Sequence, residues 1–344
     1  MTTPLISVIV PTYNRCEMLR GALESLARQE TQGALTYEVI VVDNASTDET
    51  RLVVEQVAAE SAVPVRYFYE ATPGPAPARN CGVENAAGQW LAFFDDDELA
   101  TPDWLWNLLD AAQHAQAAIV GGAMHLDLPP ETLARLGGFV RQTSLREIRY
   151  YPTIRPYADK RLPGTNNARV AREVFQKVGL FDVAVVCGGS DSDFFLRARA
   201  AGISPYYTPH AVVRHRIPPN RITREYLRWD ARQGCSAFAR LDYRFKGRAM
   251  LVLLCGARVA HAVLIVVPRL AWGRLRKDPG EILGQRVRLW RAEGYVRGTL
   301  ANLAPKWFPQ RRYFADLEFR RGRVVGQPLT PAAGKQPMPV EVAS

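Results

Sequence analysis

Only five of the 344 residues are cysteine, Cys16, Cys81, Cys187, Cys235 and Cys255. No two stand close enough to pair as zinc ligands, and an odd number without near partners excludes a disulfide framework and points to a reducing compartment. The amino-terminus runs from Met1 through a short apolar stretch to Pro11 without a basic lead or a small-residue cleavage site, so no export is expected. No internal repeat is present. Several clear membrane spans are also lacking, since only residues 249–267 come near the ~20 apolar residues a crossing requires. The basic part of the chain lacks a zinc, helix-turn-helix or aromatic-interleaved RNA signature, so no nucleic acid is expected as a partner.

Charge is plentiful but unevenly placed. Residues 1–196 carry 16 Lys/Arg against 25 Asp/Glu, a net of −9, whereas residues 197–325 carry 27 against 8, a net of +19. The formal total of +10 hides this division. A basic half can serve nucleic acid, anionic lipid or an anionic substrate, and composition does not choose among them.

In the first half, β-rich apolar runs alternate with helix-period segments. Leu5–Val10, Tyr37–Val42, Val65–Tyr69, Trp90–Phe94 and Ala117–Met124 read as strands. Between them Leu19, Ala22, Leu23 and Leu26 share one helical face, as do Leu52, Val53, Gln56 and Val57 with one polar exception. Ser46 and Glu49 have capping-box spacing, which places a helix start there. The pattern predicts an α/β fold whose mostly parallel sheet is flanked by helices on both faces. Ligands in such sheets bind at the carboxyl ends of strands.

Polar clusters fall where those strands should end. Pro11-Thr12-Tyr13-Asn14-Arg15 follows the first, Asp43-Asn44-Ala45-Ser46 the second, and Asp95-Asp96-Asp97-Glu98 the fourth. Each alone could be an ordinary turn. The carboxylate run exceeds what helix capping needs, because Thr101-Pro102-Asp103 already offers a cap. Clustered carboxylates repel one another and call for a cation or a wet cleft. Hard oxygen donors suit Mg2+ or Mn2+ and leave coordination sites for the phosphates of a nucleoside diphosphate.

With Ala78-Arg79-Asn80-Cys81-Gly82 added, these segments resemble the family 2 glycosyltransferases of GT-A fold, in the family's order and at familiar spacing over roughly residues 4–216. The resemblance implies an inverting enzyme that moves a single sugar from a nucleotide sugar, most often a UDP-sugar, to an acceptor hydroxyl, in cell-surface polysaccharide or glycolipid assembly. It further implies that Pro11, Tyr13, Arg15, Asp43, Asn44, Arg79 and Asp96 line the nucleotide pocket. Asp95 and Asp97 match the pair that meets the metal–diphosphate group, and His215 falls where some relatives place a histidine near it. Asp191 sits where the family keeps its base, preceded by Ser190 instead of the common Glu. Ser190 alternatively caps a helix running through Phe194, Phe195 and Ala198, with Asp193 favoured at its amino end. Gly164-Thr165-Asn166-Asn167 resembles the segment before the acceptor side, or else is a turn before a helix containing Val174, Phe175 and Val178. Two rival readings are a non-catalytic nucleotide-sugar binder and a basic nucleic-acid-binding protein.

The expected organisation is a GT-A domain at 1–216, a helical, basic, membrane-associated extension at 217–325, and a disordered Pro-rich tail at 326–344. Glu225-Tyr226-Leu227-Arg228-Trp229 lacks the Gln of the processive synthases' Gln-x-x-Arg-Trp element and reads as an amphipathic helix. Arg258 and His261 lie at the centre of 249–267, where charge costs at least about 2.5–3.5 kcal/mol on insertion scales. A helix lying in the interface or against the domain is therefore expected over a spanning one. Arg244, Lys246, Arg248, Arg269, Arg274, Arg276 and Lys277 flank it and suit anionic head groups. Peripheral attachment to the cytoplasmic face of the cell membrane, with a sugar or lipid-linked sugar as acceptor, follows as the expectation.

Overall fold

The computed structural model describes residues 5–33, 35–158, 161–185 and 188–309. Its first half is a parallel unit: β1 (Ile6–Thr12), α1 (Cys16–Ala27), β2 (Tyr37–Asp43), α2 (Thr50–Glu60), β3 (Val65–Tyr69), α3 (Pro75–Asn85) and β4 (Trp90–Phe94), with strand order β3-β2-β1-β4. Strands buried on both faces need no polar alternation, which is why they read as continuous apolar runs. Val8 and Val10 pack with Leu19, Leu23 and Leu26 of α1 on one face, while Ile9 packs with Val83 of α3 on the other. Thr12 is the register partner of Asp43, and Ile9 of Phe93, so three strand tips emerge along one edge.

The second half closes the sheet differently. It comprises β5 (Glu98–Ala100), α4 (Trp104–Ala115), β6 (Ile119–Asp127), α5 (Pro130–Thr143), β7 (Arg155–Pro156), β8 (Asn167–Ala171), α6 (Arg172–Val178), α7 (Ser190–Ala200) and β9 (Tyr206–Arg216). The order continues β4-β8-β6-β9-β5, with β8 antiparallel to both neighbours and β7 on the outer edge of β9. Trp104 Nε1 donates to Asn167 Oδ1 (2.8 Å), and Asn167 Nδ2 donates to the carbonyls of Ala123 (2.8 Å) and Ala211 (3.0 Å). One buried amide thus joins α4, β6 and β9 to β8. Pairing of Glu98 with His215 across β5 and β9 carries His215 to the carboxylate turn.

Several local expectations are corrected. α2 begins at Thr50, because the Ser46 hydroxyl accepts from Asn14 N (2.8 Å) and is not available as a cap. Its inner face is Val53, Val54 and Val57, and Leu52 is exposed. Thr101 donates its hydroxyl to Val212 O (3.1 Å) instead of capping α4. Ser190 is the fully buried first residue of α7, and Gly189 occupies the cap position. Asn167 opens a buried strand, so Gly164–Asn167 is a turn into β8 and α6 follows that strand.

After β9 the chain forms a 3-10 turn (Pro219–Ile222), α8 (Arg224–His261), a π-turn (Ala262–Val266), α9 (Val267–Leu275) and α10 (Pro279–Leu303). Thr223 Oγ1 caps α8 by accepting from Tyr226 N (3.3 Å). Leu227 and Ala231 of α8 and Val287 of α10 close over Leu136 and Val140 of α5, which fixes the helices to the sheet. A Cβ at Gly294 would overlap the Arg232 backbone, so glycine there lets α10 approach α8 closely. The expected tail at 326–344 lies outside the described residues.

Candidate active site at the strand tips

The loops after β1 and β2 are laced together by polar side chains, a consequence of their Asn, Asp and Ser content. Asn14 adopts φ 49° and its Oδ1 accepts from Thr47 N (2.6 Å) and Asp48 N (3.2 Å). Asp43 is buried; Oδ1 accepts from Ser46 N (2.8 Å) and Oδ2 from the Tyr67 hydroxyl (2.8 Å). Burial and then Asp43 push the Tyr67 phenol pKa upward, keeping it a donor. Asn44, expected at the nucleotide, spends both amide hydrogens on Glu70 O (3.0 Å) and Thr72 O (2.7 Å) and accepts from Gly74 N (2.7 Å). It shapes the loop leading into α3 and has no amide hydrogen left for a ligand. Pro11, opposite Val42, and Tyr13 are half-buried beside this lacing.

Three arginines and a histidine converge on the carboxylate run. Arg15 Nη1 donates to Asp96 Oδ1 (2.7 Å) and Asp97 Oδ2 (2.9 Å), while Asp96 Oδ2 accepts from Thr12 Oγ1 (2.8 Å). Arg221 Nη2 stands 2.8 Å from Asp97 Oδ2, and His215 Nε2 3.6 Å from it. Arg79 Nη2 lies 3.8 Å from Asp95 Oδ1. Burial opposes ionisation of Asp97, but Arg221, then Arg15 and His215, outweigh it and hold its pKa well below the carboxylate range. Glu98 is the reverse case: burial, then Asp95 and Asp97, push its pKa well up, and its Oε1 accepts from Asn166 Nδ2 (2.8 Å). Asp95 is raised by burial, with Arg79 offsetting only part. Its side chain is 35% exposed, against 6% for Asp96 and 5% for Asp97, so it is the most accessible of the three aspartates.

Among the described residues no three His, Cys, Asp or Glu side chains stand together as a metal cluster. Asp95 and Asp97 still offer hard oxygen donors, and one or two carboxylates completed by water and phosphate oxygens is the usual Mg2+ arrangement. The donor set therefore fits a divalent cation through these two aspartates. His215, expected as a third ligand, has both ring nitrogens engaged here: its Nε2 meets Arg221 Nη1 at 3.0 Å and its Nδ1 lies 3.2 Å from Leu145 O. Arg221 went unrecognised in the sequence. Its one signal was a Pro-Pro-Asn-Arg turn directly after His215-Arg216-Ile217.

Asp191 lies in the first turn of α7, half-buried, and accepts from Ser192 N (2.7 Å). Arg146, at φ 65°, carries a pKa raised first by Asp230, with which it pairs at 3.2 Å, and also by Asp191. Asn80 exchanges two hydrogen bonds with the Phe181 backbone (both 2.9 Å), and Arg79 stacks over the Phe181 ring with its carbon 5.9 Å from the centroid. The helix bearing Arg79 is thereby tied to the segment that leads toward Asp191.

At the strand tips of this α/β sheet arginines surround paired aspartates, a set of groups suited to an anionic, phosphate-bearing ligand. Comparison with known proteins agrees. The sequence model described as "Glycosyl transferase family 2" matches residues 7–170. The succinoglycan biosynthesis protein ExoM of Rhizobium meliloti is 32% identical over 226 residues, covering 64% of this chain and 70% of that protein. Validoxylamine A glucosyltransferase of Streptomyces hygroscopicus subsp. jinggangensis is 33% identical over 58% of this chain, which spans about half (52%) of that relative's length. A solved mannosyltransferase of Pyrobaculum calidifontis, in complex with GDP-Man and Mn2+, superposes with a TM-score of 0.55 at 20% identity, covering 89% of each chain, and shares the fold. The chain belongs to glycosyltransferase family 2 and has the GT-A architecture with a helical C-terminal extension.

Proposed function

We propose that this chain transfers one sugar from a nucleoside-diphosphate donor to an acceptor hydroxyl with inversion, in the assembly of a surface polysaccharide or glycolipid. The observation that carries the reading is the convergence of Arg15, Arg79 and Arg221 on Asp95–Asp97 at the tips of β1 and β4. Arg79 and Arg15 reach the diphosphate, and Asp43 accepts hydrogen bonds from the nucleoside once the ligand competes with Tyr67. Asp95 and Asp97 would hold a divalent cation, Mn2+ or Mg2+, which would supply neutralisation of the charge on the leaving diphosphate. Asp191 takes the proton from the acceptor hydroxyl. The name of the Rhizobium relative, a succinoglycan biosynthesis protein, supports a polysaccharide product. The family resemblance favours a UDP-sugar as the donor.

Attachment to an anionic membrane surface belongs to the same reading. Within Arg224–Leu275 the most apolar eighteen-residue window is only 11% buried, and it exposes Leu253, Val263 and Leu264 by more than half. The opposite side packs inward through Leu251, Ala262, Val266 and Leu270, and Arg258 stacks over Tyr295 (4.1 Å). One apolar side outward and one side against α10 suits a helix lying in the interface plane. The test of the catalytic assignment is Asp191→Asn: transfer should fall about 10²–10⁴-fold while donor-induced thermal stabilisation persists. Unchanged transfer would remove Asp191 from the mechanism.

A further inference from the structure

The segment that carries Asp191 is gripped from both sides by one face of α8. Arg244 Nη1 stands 2.7 Å from Asp182 Oδ2 and 3.0 Å from Asp193 Oδ1. Arg240 Nη2 donates to Ala184 O (2.9 Å). A Cβ placed at Gly189 would lie 3.7 Å from Ala237 Cβ and 3.7 Å from Leu241 Cδ1, so α8 meets the start of α7 at van der Waals distance. Residues 237, 240, 241 and 244 recur at helical spacing, which puts all four contacts on one stripe. They bracket Asp191 at 182–184 and Gly189 before it and at Asp193 after it.

Three residues beyond Arg244 the backbone of α8 turns at Gly247, φ 80°, where no atom lies within 4 Å of a would-be Cβ. Past this open joint the helix becomes the apolar, outward-facing stretch described above. Tyr243 and Phe245, next to Arg244, are each more than a third exposed, and the Arg244 guanidinium carbon lies 5.8 Å from the Phe245 ring centroid. The clamp and the apolar, outward-facing helix are therefore joined through a single glycine.

We propose that Arg244 is a positioning residue through which docking of residues 248–275 on an anionic lipid surface orders the Asp191 segment, an inference that rests on Asp191 as base and on lipid as the partner of this helix. At 42% side-chain exposure the Arg244 pairs are screened by water. Docking covers Tyr243 and Phe245, removes water from beside the pairs and immobilises the joint, which strengthens the clamp. Arg244 is not readily surrendered to a lipid phosphate, because Asp193 is fully buried and would be left on Arg197 alone. Interface binding and base positioning are thus coupled, and the enzyme is more competent on the membrane that bears its acceptor than in solution.

The experiment is hydrogen exchange on the full chain, with and without vesicles of phosphatidylglycerol and phosphatidylcholine, alongside vesicle co-sedimentation. On vesicles, amides 188–193 should exchange about tenfold more slowly. Arg244→Ala should co-sediment like the parent yet lose that slowing, and Arg244→Lys should recover part of it. The Leu253→Asp/Leu264→Asp double variant should lose both sedimentation and slowing while keeping the parent's lipid-free exchange. A parent that sediments with vesicles but shows unchanged exchange at 188–193 overturns the coupling and leaves the membrane reading intact, as does full slowing in Arg244→Ala. A parent that fails to sediment overturns the membrane reading and the coupling together. The Asp191→Asn assay fails or succeeds independently of all of these.

Discussion

Replacing Arg221 by Met removes one charge from a buried cluster while keeping an unbranched apolar stem. Asp97 is 5% exposed and Arg221 7% exposed, so the pair is out of water and its loss is not compensated by solvent. Breaking a buried ion pair on one side costs about 3–5 kcal/mol; because Arg15 still holds Asp97 Oδ2 at 2.9 Å, the expected loss is near the low end, about 3 kcal/mol. The pH dependence has a definite sign. The folded-state pKa of Asp97 lies below its unfolded value of about 3.9, so its pairing stabilises the protein above that value and the contribution is lost as pH falls toward the folded one. With Arg221 gone the folded pKa rises, and the deficit relative to the parent should be full at pH 5–7 and should narrow below about pH 4. Urea unfolding of parent and variant across this range reads it directly. A variant within about 0.5 kcal/mol of the parent at pH 7, or a deficit that does not change with pH, would refute the cluster's electrostatics as described.

Two further substitutions probe the scaffold. Gly82→Val places a side chain onto Ile9 Cγ2, which the would-be Cβ already overlaps, so β1 and α3 must part; a loss of about 1–3 kcal/mol is expected in thermal or urea melts, and a neutral result would mean α3 is not fixed on β1. Tyr67→Phe leaves Asp43 Oδ2 without its donor in a buried setting, costing about 1–3 kcal/mol without ligand, with part regained when a nucleoside supplies hydroxyl donors; equal loss with and without nucleotide would detach Asp43 from the ligand.

The carboxylate turn was legible in the sequence because an apolar strand running straight into Asp95–Asp97 has few structural uses. Arg15 and Arg79 were legible through the spacing of the segments around them. Arg221 was not, since its meaning depends on β9 pairing with β5, a long-range contact that no local pattern reveals. The inserted strand β8 was hidden for a related reason: Arg169, buried over the Trp90 ring (3.2 Å) with its pKa lowered to about 9 by burial, interrupts what would otherwise be an apolar run. Asn44 and Ser46 are ambiguous in the sequence because turn residues are chemically suited both to ligands and to their own backbone. Here Asn44 binds the loop before α3, and Ser46 binds the loop after β1. The exposed helix beyond Gly247 was legible in composition, but the inward turn of Arg258 onto Tyr295 required the packed helices.

The most direct measurement is thermal melting of the full chain against a panel of nucleotide sugars, with and without Mn2+, beside the Asp95→Asn variant. A donor present at a hundredfold its dissociation constant stabilises the native state by about 2.7 kcal/mol. The account predicts that one donor raises the melting temperature in a cation-dependent manner and that Asp95→Asn abolishes the cation dependence. No response to any donor, or a response unaltered in Asp95→Asn, would contradict it.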